Sequence, residues 1–147
     1  MAAQRKAEAV WEGDLLSGKG MVDMASGAIP EFAVTWASRT EQPAAGKTSP
    51  EELLAAAHAS CYAMAFSATL ARNRTPPKKL AVTATSTFDK VGDGWKVTKM
   101  ELNVVGNVPG LDQEKFAELA KAGEKGCPIS NALRNNVEIT VTSSLEK

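Results

Sequence analysis

Residues 49–71 read SPEELLAAAHASCYAMAFSATLA, and the local signals in this stretch decide the architecture. Ser49 precedes Pro50, proline is favoured at the first helical position, and Glu52 stands three residues after Ser49 as a capping box requires. A helix is expected to start there. From Leu53 to Ala71 the run is apolar nearly all the way round, the pattern of a helix buried in a core or inserted in a membrane. Its length approaches the roughly 20 apolar residues that a span needs. Alanine contributes little to insertion, however, and His58, Ser60, Ser67 and Thr69 interrupt the run. The expectation is a long buried central helix, wrapped by protein on all sides and ending before Thr75-Pro76-Pro77.

On its N-terminal side, TEQPAAGKTSP from Thr40 to Pro50 reads as a loop by its Pro, Gly and small polar content. Before that loop, AEAVWEG, GKGMVDMASG and EFAVTW are short strand-like pieces punctuated by Gly13, Gly18, Gly20 and Gly27, as in an antiparallel meander. On the C-terminal side, LAVTATSTFD and WKVTKMELNVVGNV make a hairpin across the four-residue connection VGDG. The large residues change phase between Trp95/Val97 and Met100/Leu102/Val104, which points to a bulge. LDQEKFAELAKAGEKG is an amphipathic helix with Asp112 as N-cap, Gly126 past its end, and Phe116, Leu119 and Ala120 on one face. CPISNALRNN then opens a short helix at Pro128, and NVEITVTS closes as a strand. The class is α+β, antiparallel strands around the central helix.

With 147 residues, 44% of them hydrophobic, the chain suits one domain over residues 1–147. Seventeen Lys and Arg balance seventeen Asp and Glu with no long block of one sign, so neither nucleic acid nor a membrane surface is an expected partner. Small neutral or apolar molecules are the natural guess. The opening MAAQRKAEAVWEG lacks an apolar core of signal-peptide length, and a cytoplasmic location is expected. There thiols stay reduced, so Cys61 and Cys127 are more often catalytic, metal-binding or packed than a permanent staple. Two cysteines and one histidine fall short of a zinc site, and no metal or cofactor is expected.

Taken by themselves, the two cysteines differ. Cys61 lies among alanines, where burial raises a thiol pKa and leaves it inert unless a cation reaches it. Cys127 precedes a predicted helix whose amides and dipole stabilise a thiolate, so local rules favour it as the nucleophile. A thiol of pKa about 8.5 is only about 3% thiolate at pH 7, and whichever cysteine attacks needs a lower one. His58, three residues before Cys61, shares its helical face and would permit a thiol–imidazole pair, although a lone buried histidine is more often a hydrogen-bonded packing residue. Glu52 has a capping task, which leaves Glu51 unassigned.

The motif TSPEELLAAAHASC at residues 48–61, followed by CPISNAL at residues 127–133, resembles the OsmC/Ohr family of organic hydroperoxide peroxidases, and AAHASC resembles the OsmC branch. The family motif has Asn more often at position 49, and Ser preserves a capping side chain. The resemblance implies an intertwined homodimer and a two-cysteine peroxidase of oxidative and osmotic stress defence. Cys61 would attack the hydroperoxide, release the alcohol and become a sulfenic acid, and Cys127 would condense with it to a disulfide. It also implies an activating arginine and a glutamate, which map onto Arg39 and Glu51, and a dithiol reductant of lipoyl type.

Glu51 and Cys61 are ten residues apart, so on one straight helix they lie about 15 Å apart along its axis and cannot meet within one subunit. A two-fold dimer in which Arg39 and Glu51 of one chain approach Cys61 of the other resolves this. Two rivals stand beside it: a non-catalytic module binding a small ligand, with passive cysteines, and a hydrolase or transferase using Cys61 with His58 as base.

Overall fold

The computed structural model describes residues 1–41 and 46–146, so part of the expected loop from Thr40 to Pro50 lies outside the described residues. The chain forms two compact units, Met1–Leu53 and Leu54–Lys147. In the first, β1 (Ala7–Glu12), β2 (Lys19–Met24) and β3 (Phe32–Val34) pair in that order as the expected antiparallel meander. Gly20 is the residue that permits its packing. It pairs with Trp11 on one side and Val34 on the other, and a Cβ there would stand 2.9 Å from each of their side chains. EFAVTW does not remain a strand to its end. Thr35 and Ser38 exchange backbone-to-hydroxyl hydrogen bonds of 3.1 Å, a local alternative to the ladder, and the chain turns into the four-residue helix α1 (Ala37–Thr40) that carries Arg39.

The quoted stretch folds as α2 (Pro50–Arg72), a 23-residue helix that begins in the first unit and continues as the first element of the second. The Glu52 amide donates to Ser49 Oγ at 3.1 Å, which is half of the expected capping box. The other half is redirected, because the Glu52 carboxylate accepts from the Thr48 hydroxyl instead. α2 is not wrapped on all sides within this chain. His58, Tyr62, Phe66 and Leu70, spaced by four, are fully buried, while Ala56, Ala57, Ser60, Met64, Ala68 and Ala71 are exposed. One stripe faces the core, Cys61 and Ala65 pack partly against it, and the side carrying Met64 and Ala68 is uncovered.

In the second unit, β4 (Lys79–Val91) and β5 (Gly94–Asn107) form the expected antiparallel hairpin. Val91 pairs with Gly94, so the connection is the two residues Gly92 and Asp93 rather than four, with Gly92 at φ 62. Thr87 pairs with Lys99 and Phe88 with Val97, so Thr98 is the extra residue and the bulge sits where the phase change placed it. Beyond it Met100, Leu102 and Val104 point inward at period two. The last strand, β6 (Glu138–Leu145), corrects an expectation: it runs parallel to β5, not antiparallel. The helices α3 (Gln113–Lys125) and α4 (Pro128–Leu133) lie between the two strands, and such a crossover lets the chain return in the same direction.

Asp112 caps α3 as expected, accepting the Lys115 amide at 2.8 Å. α3 then packs Phe116, Leu119 and Ala120 against Tyr62, Phe66 and Leu70 of α2 and Leu102 and Val104 of β5. Gly123 brings α3 and α2 together: a Cβ at that position would be 3.0 Å from the Phe66 backbone. These packed layers bring the start of α4 onto α2.

Candidate active site

Cys127 is the residue before Pro128, the first of α4, and that position puts its sulfur against α2. It is fully buried within the hydrophobic core, whereas Cys61 on α2 is partly exposed. The Cys127 thiol points to Cys61 Sγ at 3.4 Å, and both are free thiols. A disulfide needs about 2.05 Å between sulfurs, so a small approach joins them. Cys61 borders an open cavity of about 270 Å³ whose lining includes Met64, Ala65, Ala68, Arg72 and Pro128. The sulfur that a small molecule can reach is therefore that of Cys61.

Local rules favour Cys127 as the nucleophile, whereas in the structure Cys127 is the buried thiol and Cys61 the partly exposed one. Cys127, at the N-cap of α4, makes no side-chain capping hydrogen bond with its own helix. Here the Ile129 amide of α4 is hydrogen-bonded to Cys61 instead, and draws its pKa down. Burial opposes this more strongly, with the neighbouring Cys127 adding to it, so the net displacement of the Cys61 thiol is upward. Arg72, in the last turn of α2, lines the same cavity as Cys61.

His58 does not complete a thiol–imidazole pair. Its Nε2 shares a 2.7 Å hydrogen bond with Ser130 Oγ of α4, both residues are fully buried, and Nδ1 has no hydrogen-bond partner. Burial lowers the His58 pKa, and the nearby Glu124 carboxylate only partly offsets that. The imidazole is engaged with Ser130, as a hydrogen-bonded packing group would be. Glu124, at the end of α3, is itself nearly buried and pairs with Arg134 at 2.8 Å just beyond α4.

Arg39 and Glu51 meet within the first unit. Arg39 Nη2 donates to Glu51 Oε1 at 2.6 Å, and its Nε lies 3.2 and 3.3 Å from the two carboxylate oxygens. Glu51, placed in the first turn of α2, is buried, and the Arg39 side chain is 29% exposed. The Arg39 guanidinium also lies 5.4 Å from the centre of the Trp36 ring, a cation–π contact. Beside this pair is an apolar cavity of about 340 Å³ bordered by Trp11, Leu15, Val34 and Trp36. A guanidinium held by a buried carboxylate at the rim of an apolar cavity suits a small ligand with one polar end.

The structure thus pairs Cys61 with Cys127 and Arg39 with Glu51. Sequence reasoning missed Ser130, Ile129, Trp36 and the Glu124–Arg134 pair. One signal was present: Ser130 follows Cys127 by three residues as His58 precedes Cys61 by three, which is one helical turn in each case.

Two free thiols in contact, one half-open and one buried, on an α+β scaffold define a dithiol protein poised for redox chemistry. The family model described as OsmC-like protein matches residues 43–142. The chain is 36% identical over 146 residues to peroxiredoxin OsmC of Escherichia coli (strain K12), covering 99% of each sequence. It is 30% identical over 96 residues to an organic hydroperoxide resistance protein of Xanthomonas axonopodis pv. citri, covering 65% of this chain and 66% of that protein. A crystal structure of an organic hydroperoxide resistance protein from Elizabethkingia anophelis superposes with a TM-score of 0.75 at 24% identity, covering 99% of this chain and 100% of that one. The chain belongs to the OsmC-like protein family.

Proposed function

We propose that this chain is a cysteine-based peroxidase, dependent on neither haem nor metal, that reduces organic hydroperoxides to alcohols in oxidative and osmotic stress defence. The observation that carries the proposal is the 3.4 Å contact between a partly exposed Cys61 and a buried Cys127. The names of the relatives, a peroxiredoxin and an organic hydroperoxide resistance protein, support the same substrate class.

In the proposed cycle the Cys61 thiolate attacks the terminal oxygen of ROOH and the O–O bond breaks. The alkoxide takes a proton and leaves as ROH, and Cys61 becomes a sulfenic acid. The Cys127 sulfur then attacks the Cys61 sulfur, water departs, and a Cys61–Cys127 disulfide results. A dithiol reductant, of lipoyl type, returns both thiols by exchange. Arg39 supplies the cation that stabilises the Cys61 thiolate, and Glu51 orients it.

Arg39 and Glu51 act in trans in this proposal: the chain works as an intertwined homodimer in the cytoplasm, with the arginine pair of one protomer serving Cys61 of the other. The ten-residue separation of Glu51 and Cys61 along α2, about 15 Å of axial rise, supports that arrangement. The uncovered apolar side of α2, with Met64 68% exposed, supplies surface that a partner chain would cover. The binding-module alternative makes the cysteines passive. One equivalent of an organic hydroperoxide separates the two, because only the peroxidase loses both thiols.

A further inference from the structure

The Cys61–Cys127 contact has a second rung one helical turn away. His58 precedes Cys61 by three residues on α2, Ser130 follows Cys127 by three on α4, and the two side chains share a 2.7 Å hydrogen bond. Both residues are 0% exposed, so this bond is made in the core, where losing one partner leaves the other unsatisfied. Among the described residues His58 Nδ1 has no hydrogen-bond partner, so the Ser130 bond is the one that holds the ring there. At the far end of α4, Arg134 is held by Glu124 at 2.8 Å. α4 has only six residues, roughly 9 Å of helix, so a tie at each end fixes the position of Cys127 at its start.

We propose that His58 and Ser130 are positioning residues that clamp α4 onto α2 and thereby hold Cys127 within reach of Cys61 for the disulfide-forming step. The inference rests on the peroxidase reading for the chemistry it assists, but the clamp itself is a property of the dithiol. The assisted step is Cys61–SOH plus Cys127–SH giving Cys61–S–S–Cys127 and water. When Cys127 stands too far away, the sulfenic acid survives to meet a second hydroperoxide, which transfers one oxygen to give the sulfinic acid and ROH. The clamp therefore protects Cys61 against over-oxidation as well as speeding the cycle.

The test compares the full-length protein with Ser130→Ala, His58→Ala and His58→Gln, the last of which keeps an amide nitrogen close to where Nε2 stood. The first measurement is the Cys61–Cys127 disulfide equilibrium in glutathione redox buffers, which reports the effective concentration of one thiol at the other and needs no hydroperoxide. Loss of positioning should lower it about tenfold or more in Ser130→Ala and His58→Ala, with substantial recovery in His58→Gln. The second is intact mass after excess cumene hydroperoxide: Ser130→Ala should divert Cys61 from the disulfide to the sulfinic acid, while the initial attack on peroxide changes by less than about threefold. Equal disulfide equilibria in wild type and Ser130→Ala overturn the clamp, because a packing role alone would not move them. If His58→Ala fails to fold, Ser130→Ala, which removes a single hydroxyl oxygen, still decides the question. A wild type inert to hydroperoxide but with a clamp-dependent equilibrium sinks the peroxidase reading and leaves the clamp standing.

Discussion

A partly exposed thiol on an alanine-rich helix is a weak nucleophile until something holds its negative charge. The Ile129 amide supplies one favourable hydrogen bond to Cys61, and burial outweighs it. The proposed remedy is Arg39, and Glu51 makes Arg39 dependable by fixing its guanidinium through three close N–O contacts. The same pairing has a structural consequence inside the first unit. Replacing Arg39 by Met leaves the Glu51 carboxylate buried and unpaired, which costs about 3 kcal/mol. Denaturant unfolding should show that loss in Arg39→Met and recover most of it in Arg39→Met/Glu51→Gln, where the buried charge is gone too. Thiol oxidation by cumene hydroperoxide should slow about 100-fold in both variants, because the Cys61 thiolate loses its cation. Recovery of stability without recovery of rate separates the two roles of the arginine. Restored rate in the double variant would remove Arg39 from the chemistry.

Among the elements, α2 decides how the rest assemble, and much of it was legible. Ser49, Pro50 and Glu52 marked its start, and Thr75-Pro76-Pro77 its limit, because capping and proline effects are local. The bulge at Thr98 and the Asp112 cap were legible for the same reason. The buried stripe was not, since alanines look alike on every face, although the large residues Tyr62, Phe66 and Leu70 at spacing four carried its trace. The parallel direction of β6 depends on where two intervening helices carry the chain, which no residue of β6 encodes. Nor did any local pattern reveal that the Ile129 amide of α4 serves the cysteine of another helix. One close approach tests the packing that brings those helices together. In Gly123→Ala the new methyl would sit 3.0 Å from the Phe66 Cα and Cβ, so α3 must back away from α2. Thermal melts should show a loss of about 1–3 kcal/mol. An unchanged melting temperature would mean that α3 is not held against α2 as closely as this geometry requires.

For the whole molecule, the uncovered apolar surface is the feature a single chain leaves unexplained. Val10 on β1, Leu16, and Met64 on α2 are 65%, 77% and 68% exposed. The proposed homodimer would cover it, and light scattering should return twice the 15.5 kDa chain mass. A monodisperse and active monomer would end the shared-site proposal. The central claim is the division of labour between the two thiols, and one experiment reads it directly. Wild type, Cys61→Ser and Cys127→Ser are each treated with one equivalent of cumene hydroperoxide, followed by thiol titration and intact mass. The expected result is that the wild type loses both thiols and two hydrogen atoms, Cys127→Ser retains oxygen on Cys61, and Cys61→Ser is inert. Survival of both thiols in the wild type would contradict the peroxidase and favour a passive binding module.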